Sequence, residues 1–150
     1  MKKLLLLFLF LLLFIPSNIF AIEINSPSAI LIDANTGRIL YEKNSNEKAF
    51  PASTTKILTA ILVLENCNLN EEVTASYNAI MSVPVGGSNA AIKVDEKLTI
   101  KDLLKALLVC SANEAANILA EHVGGSIESF VNMMNTRAKE LGANNTNFIN

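Results

Sequence analysis

The stretch from Thr54 to Glu65 constrains the fold more than any other part of the chain. Ile57, Leu58, Ala60, Ile61, Leu62, Val63 and Leu64 cover almost the whole circumference of a helix drawn through it. A helix that is apolar all round has no face for water, so it is expected to run through the centre of a domain with other elements packed around it. The chain is long enough to supply them, since 150 residues, 51% of them hydrophobic, make one ordinary domain with a real core. Into this helix the sequence sets a single lysine, Lys56, one turn from the start, with Ser53 just ahead of it.

A second apolar run has a different meaning. Leu4 to Ile15 carries no charge behind Lys2 and Lys3, and at twelve residues it is too short for a bilayer core, which needs roughly 20. Pro16, Ser17 and Asn18 break the run, and Ile19-Phe20-Ala21 offers small-residue cleavage after Ala21. Residues 1–21 therefore read as a secretory signal peptide. Without Lys2 and Lys3 the remainder holds 10 basic against 14 acidic side chains, a net charge of -4. Such a chain has no electrostatic footprint for nucleic acid. The two cysteines, Cys67 and Cys110, are too few for a disulfide framework, and they are expected as two separate buried thiols.

Along the rest of the chain, Ala29-Ile30-Leu31-Ile32 and Ile39-Leu40-Tyr41 flank the turn residues Asp33 to Arg38, which predicts a β-hairpin. A short helix is expected around Thr74 to Met81 and a loop over Val83 to Asn89. Thr99-x-x-Asp102 has the form of a helix cap, and Leu103, Leu104, Leu107 and Leu108 give the helix after it an apolar face. Ser111-Ala112-Asn113 interrupts that helix, and a further one runs from about Glu114 to Val123. Ser126 caps a last helix that reaches about Leu141, and Gly142 stops it. A two-stranded hairpin is not stable alone and wants more strands than this chain supplies.

Ser53-Thr54-Thr55-Lys56 puts a hydroxyl and an amine at i and i+3, on one face of a helix. Ser53 lies at the positive end of the helix dipole, which favours developing negative charge. Burial lowers an ammonium pKa, and a neutral lysine beside a serine is a general base that needs no histidine. The spacing alone is weak, because Ser45-Asn46-Glu47-Lys48 also fits it, but Ser45 lies in a polar turn where both groups stay solvated. The plainer reading of Ser53 is a helix N-cap. Ser111-Ala112-Asn113 is a second candidate, a hydroxyl and an amide aimed from a helix break into a cleft. Its plainer reading is a helix stop and restart. Glu114 either hydrogen-bonds the site or serves the helix N-terminus, and the single histidine, His122, reads as a surface or structural residue. No Cys/His cluster has zinc spacing, and Gly86-Gly87 is not a phosphate loop.

Taken together these segments resemble the penicillin-binding, D-alanyl-D-alanine carboxypeptidase family. The likeness runs through Ala29-Ile30-Leu31-Ile32-Asp33-Ala34 with Gly37, Pro51-Ala52-Ser53-Thr54-Thr55-Lys56-Ile57-Leu58-Thr59 and Gly86-Gly87-Ser88. It continues in Leu98-Thr99-Ile100-Lys101-Asp102-Leu103-Leu104, Ser111-Ala112-Asn113-Glu114-Ala115-Ala116 and Thr146-Asn147-Phe148, spanning essentially all of 25–150. The resemblance implies an α/β (α+β) fold of the β-lactamase/transpeptidase type, with N-terminal strands plus a helical lobe. It implies Ser53 as acyl-enzyme nucleophile, Lys56 as its base, Ser111 as proton relay and Asn113 as substrate-binding amide. The implied reaction removes the terminal D-alanine from a peptidoglycan stem pentapeptide, without a cofactor or metal, outside the cytoplasmic membrane, in cell-wall biosynthesis and the upkeep of cell shape. The implied partners are peptidoglycan stem peptides and, as acylating inhibitors, β-lactam antibiotics.

The departures are equally specific. No Lys-Thr-Gly occurs, the nearest match being Asn35-Thr36-Gly37 in the hairpin turn, and Asp95 stands where the family tends to have glycine. The resemblance places that third motif, the rest of the sheet, a C-terminal β domain and an amphipathic membrane anchor beyond Asn150. Residues 22–150 are thus expected to be the N-terminal part of the catalytic domain, a partial sequence with half an active site and weak or no activity alone. Ser111-Ala112-Asn113 in place of Ser-Asp-Asn favours a carboxypeptidase over a serine β-lactamase. The alternative of another class is a non-catalytic secreted module that binds peptidoglycan, against which the intact Ser53 and Lys56 speak.

Overall fold

The structure is a computed structural model and describes residues 23–149; the signal-peptide reading of residues 1–21 lies outside them. The described chain forms two compact units, one up to Ala49 and one from Phe50 onward. In the first, β1 (Ala29–Ile32) and β2 (Ile39–Lys43) pair antiparallel, Leu31 opposite Tyr41, with a register shift before Ile32. The turn is built by Asp33, whose carboxylate accepts from the Thr36 N–H at 2.8 Å and the Thr36 hydroxyl at 2.6 Å. Gly37 takes the left-handed conformation that closes it (φ 69°), its N–H donating to the Asp33 carbonyl. Ile30, Leu31, Ile32, Ile39 and Leu40 all remain about half exposed, so this ladder has no buried face of its own.

The second unit is the helical lobe. A single 3₁₀ turn, Ala52–Thr54, leads into α1 (Thr55–Asn66). Then follow β3 (Glu72–Thr74), α2 (Tyr77–Met81), a loop, β4 (Lys97–Thr99), α3 (Ile100–Val109), α4 (Asn113–Gly124) and α5 (Ile127–Glu140). The caps follow the sequence: Thr99 Oγ1 accepts from the Asp102 N–H and Ser126 Oγ from the Ser129 N–H, both at 3.1 Å. The short helix starts at Tyr77 rather than Thr74, because Ser76 caps it through the Ala79 N–H. β3 and β4 pair antiparallel, Val73 opposite Leu98, a ladder that the sequence pattern does not predict.

The core lies in two clusters that meet on α1 and α4. Ala60 and Val63 of α1 join Ile100, Leu103 and Leu107 of α3 and Ala115, Ile118 and Leu119 of α4. Leu58 and Leu62, on another side of α1, join Ala120 of α4 and Phe130, Met134 and Ala138 of α5. The apolar helix is thus central, as expected, but not enclosed on every side. Ile57 and Leu64 are 58% and 56% exposed, and their spacing of seven puts them on one open stripe. The expectation of two buried thiols is corrected as well: Cys67 is half-buried and Cys110 exposed, and both are free. Cys110 follows the last turn of α3, past the apolar face carried by Leu103 and Leu107. Among the described residues no helix is long and apolar enough to cross a membrane.

Candidate active site

Ala52 holds a left-handed backbone (φ 49°), a conformation that costs a residue with a Cβ of order 1 kcal/mol and turns the chain sharply into the helix start. Ser53 sits on this bend, exposed, where the first N–H groups of a helix have no partner within it. Lys56 follows one turn later and is half-buried. A second left-handed residue, Ser111 (φ 55°), joins α3 to α4. Its bend is fixed on both sides, by the Ala112 N–H donating to the Ala106 carbonyl and the Asn113 N–H to the Ser88 carbonyl.

These two bends bring the sequence-predicted residues together. Lys56 Nζ donates to Ser111 Oγ at 3.1 Å and to Asn113 Oδ1 at 2.7 Å, and Ser111 Oγ is bonded to Ser53 Oγ at 2.8 Å. Ser53, Ser111 and Lys56 therefore form one continuous hydrogen-bonded chain, with the lysine reaching the first serine through the second. Burial pushes the Lys56 ammonium below its ordinary pKa, and the carboxylate of Glu114 opposes that shift. With a neutral amine the two hydroxyl protons reverse, Ser53 donating to Ser111 and Ser111 to Lys56. In that state an unbroken path of hydrogen bonds runs from the Ser53 hydroxyl to the Lys56 amine. Asn113, its oxygen held by Lys56, keeps its amide nitrogen as a donor.

Glu114 has a role beyond the helix N-terminus. Its side chain is 3% exposed, and Oε1 accepts from the Ala90 N–H at 2.6 Å and, at a longer 3.5 Å, from the Ile92 N–H. Its second oxygen, Oε2, is buried and has no hydrogen-bond partner among the described residues. It lines a cavity of about 290 Å³ with Ile80, Val83, Pro84 and Gly87. Glu114 thus ties the 83–92 loop to the helix that carries Asn113. Gly87 completes the contact: a Cβ there would stand 2.8 Å from Asn113 Nδ2 and 3.0 Å from the Pro84 carbonyl oxygen. Periodicity and spacing place Gly87 in a loop and assign it no contact. The signal for its role is its place in the Gly86-Gly87-Ser88 segment of the resemblance.

A hydroxyl, a bridging hydroxyl and a partly desolvated amine in one hydrogen-bonded chain have the form that serine–lysine acyl transfer requires. The family model described as D-alanyl-D-alanine carboxypeptidase matches residues 16–150, and the chain belongs to that family. It is 42% identical over 128 residues to the D-alanyl-D-alanine carboxypeptidase DacF of Bacillus subtilis, an alignment covering 82% of this chain and 32% of the relative. Among solved structures it resembles the D-alanyl-D-alanine carboxypeptidase DacD from Francisella tularensis, with a TM-score of 0.79 and 37% identity over 86% of this chain and 32% of that one. It likewise resembles penicillin binding protein 6B from Escherichia coli, with a TM-score of 0.79 and 32% identity over 91% of this chain and 44% of that one. The fold is the transpeptidase/β-lactamase type of the penicillin-binding proteins. The chain spans about a third of the length of the curated relatives it matches.

Proposed function

We propose that this chain carries the nucleophile, base and relay of a serine-type D-Ala-D-Ala carboxypeptidase, acting on peptidoglycan stem pentapeptides at the outer face of the cell membrane. The observation that carries the reading is the unbroken hydrogen-bond path from Ser53 through Ser111 to Lys56, with Asn113 beside it. Neutral Lys56 takes the Ser53 proton by way of Ser111 while Ser53 Oγ attacks the carbonyl carbon of the penultimate D-alanine. The helix start at Ser53 faces the developing oxyanion with partial positive charge. As the peptide C–N bond breaks, the proton returns through Ser111 to the amine of the departing D-alanine. Water then enters, gives its proton to Lys56 by the same path and attacks the acyl carbon. The tetrapeptide leaves with a new carboxyl group, and Ser53 regains its proton. Asn113 holds the substrate by donating from its amide nitrogen. A β-lactam presents a similar carbonyl to Ser53 and forms an acyl-enzyme.

Residues 22–150 are, in this reading, the N-terminal part of the catalytic domain. The half-exposed apolar residues on β1 and β2 support it, since such a ladder wants further strands beside it. So does the coverage, since the chain spans about a third of the length of the curated relatives it matches. The signal-peptide reading of residues 1–21 supports export, and the wall peptide is the substrate that an exported enzyme meets. The test treats the full-length protein, wild type and Ser53→Ala, with fluorescent penicillin and with a pentapeptide ending in D-Ala-D-Ala. The expected result is a covalent label on Ser53 and release of D-alanine, both lost in the variant. D-alanine release that survives Ser53→Ala overturns the proposal, and penicillin hydrolysis faster than D-alanine release makes the protein a β-lactamase instead.

A further inference from the structure

Cys67, Glu71 and His122 meet at the end of the helical lobe away from the serines. Cys67 caps the C-terminus of α1, Glu71 lies in the turn before β3, and His122 stands in the last turn of α4. The Cys67 sulfur, a Glu71 carboxylate oxygen and a His122 ring nitrogen all lie within 4.8 Å of one another, and His122 Nε2 is 3.0 Å from Glu71 Oε1. A surface ion pair accounts for the last distance but not for the thiol beside it. Thiolate, imidazole and carboxylate are the three donor types that zinc takes from proteins. On a tetrahedral ion with bonds of roughly 2.0–2.3 Å, such donors stand about 3.3–3.8 Å apart, a spacing that small side-chain rotations reach from here.

The frame around the cluster is fixed. The Cys67 N–H donates to the Val63 carbonyl at 2.9 Å, and the Glu71 carbonyl accepts from the Ile100 N–H at 2.9 Å. Both α1 and α4 end at this point, so the carbonyl ends of two helix dipoles lie beside it, which favours a cation. We propose that Cys67, Glu71 and His122 bind one zinc ion, with water in the remaining position. The ion takes no part in acyl transfer. α1 and α4 run side by side in the same direction, joined near their N-termini by the Lys56–Asn113 bond. Eleven residues of α1 at 1.5 Å each set the Cys67 end about 17 Å from Lys56. Zinc there clamps the far ends of the two helices whose near ends carry the serines.

The test strips the full-length protein with a chelator under reducing conditions and titrates it with Co²⁺. One equivalent is expected to give a thiolate-to-cobalt charge-transfer band in the near ultraviolet, which zinc then displaces. Cys110→Ser keeps the band, Cys67→Ser abolishes it, and His122→Asn weakens Co²⁺ binding roughly tenfold or more. Zn²⁺ is expected to raise the thermal midpoint of the wild type but not of Cys67→Ser. His122→Asn alters an exposed residue, so it reports on binding even where Cys67→Ser fails to fold. A folded, penicillin-labelled wild type without the band overturns the proposal. So does a band that persists in Cys67→Ser, one that vanishes in Cys110→Ser, or Co²⁺ binding unchanged in His122→Asn.

Discussion

Lys56 stands between two opposing influences, and each is open to measurement. Burial lowers its pKa and the Glu114 carboxylate raises it. In the proposed mechanism acylation needs the neutral amine, so the rate is expected to climb with pH and level off once Lys56 has lost its proton, below the ordinary lysine value of about 10.4. Glu114→Gln removes the raising charge while keeping an oxygen for the Ala90 N–H. Lys56 then loses its proton at lower pH, and the rising limb of the penicillin-acylation profile moves to lower pH. A limb that stays in place or moves upward would contradict this account of the charge. Gly87→Ala tests position instead of charge. The added Cβ meets Asn113 Nδ2 at 2.8 Å and the Pro84 carbonyl oxygen at 3.0 Å, so the flexible Asn113 side chain, which Lys56 holds by its oxygen, is the group expected to give way. Displacing a positioning group by about 1 Å costs on the order of 10²-fold in rate. Acylation efficiency is expected to fall by about that factor while the circular-dichroism melting curve stays near wild type. Ser53, Lys56, Ser111 and Asn113, which hydrogen bonds bring together, stand out in the sequence because a hydroxyl, an amine and an amide fall at a helix start and a helix break. Gly87 and the loop-binding task of Glu114 do not, because both depend on contacts between segments more than twenty residues apart.

At the scale of elements, the helices follow their own chemistry. Thr99 and Ser126 cap α3 and α5 through their side chains, and each cap is visible as a hydroxyl three residues ahead of the N–H it serves. Ser126→Ala is expected to cost about 1 kcal/mol, read as a shift in the urea midpoint with an unchanged slope. Gly124→Ala is expected to cost clearly more. A Cβ at Gly124 meets the Phe130 backbone nitrogen at 2.7 Å, so the turn between α4 and α5 must open to admit it. The reverse order of these two variants would mean that the α4–α5 turn is not held as described. What local pattern misses is equally physical. β3 and β4 are three residues each, too short for an alternating pattern to stand out, and their pairing closes over a long stretch of chain that includes α2. The open stripe of Ile57 and Leu64 was hidden for another reason: circumference alone says that a helix is apolar, not which of its neighbours are present.

For the helical lobe taken whole, α1 is the shared wall of both cores, and this predicts how damage spreads. Phe130 is 2% exposed and packs with Leu58 and Leu62 of α1, Ala120 of α4 and Met134 and Ala138 of α5. Removing its ring leaves a cavity bordered by three helices, and truncations of this kind cost roughly 3–5 kcal/mol. The site residues touch the other side of the lobe: Lys56 reaches Ser111 and Asn113, next to Ala112 and Ala115 of the first core. Phe130→Ala is therefore expected to lower stability strongly while the folded molecules keep their site. In urea unfolding of the full-length protein followed by circular dichroism, the midpoint should drop. Fluorescent-penicillin labelling, measured in parallel, should fall with the folded fraction and no faster. Labelling lost well before the helical signal would mean that α5 holds α1 in register for Ser53, and that the two cores act as a single unit.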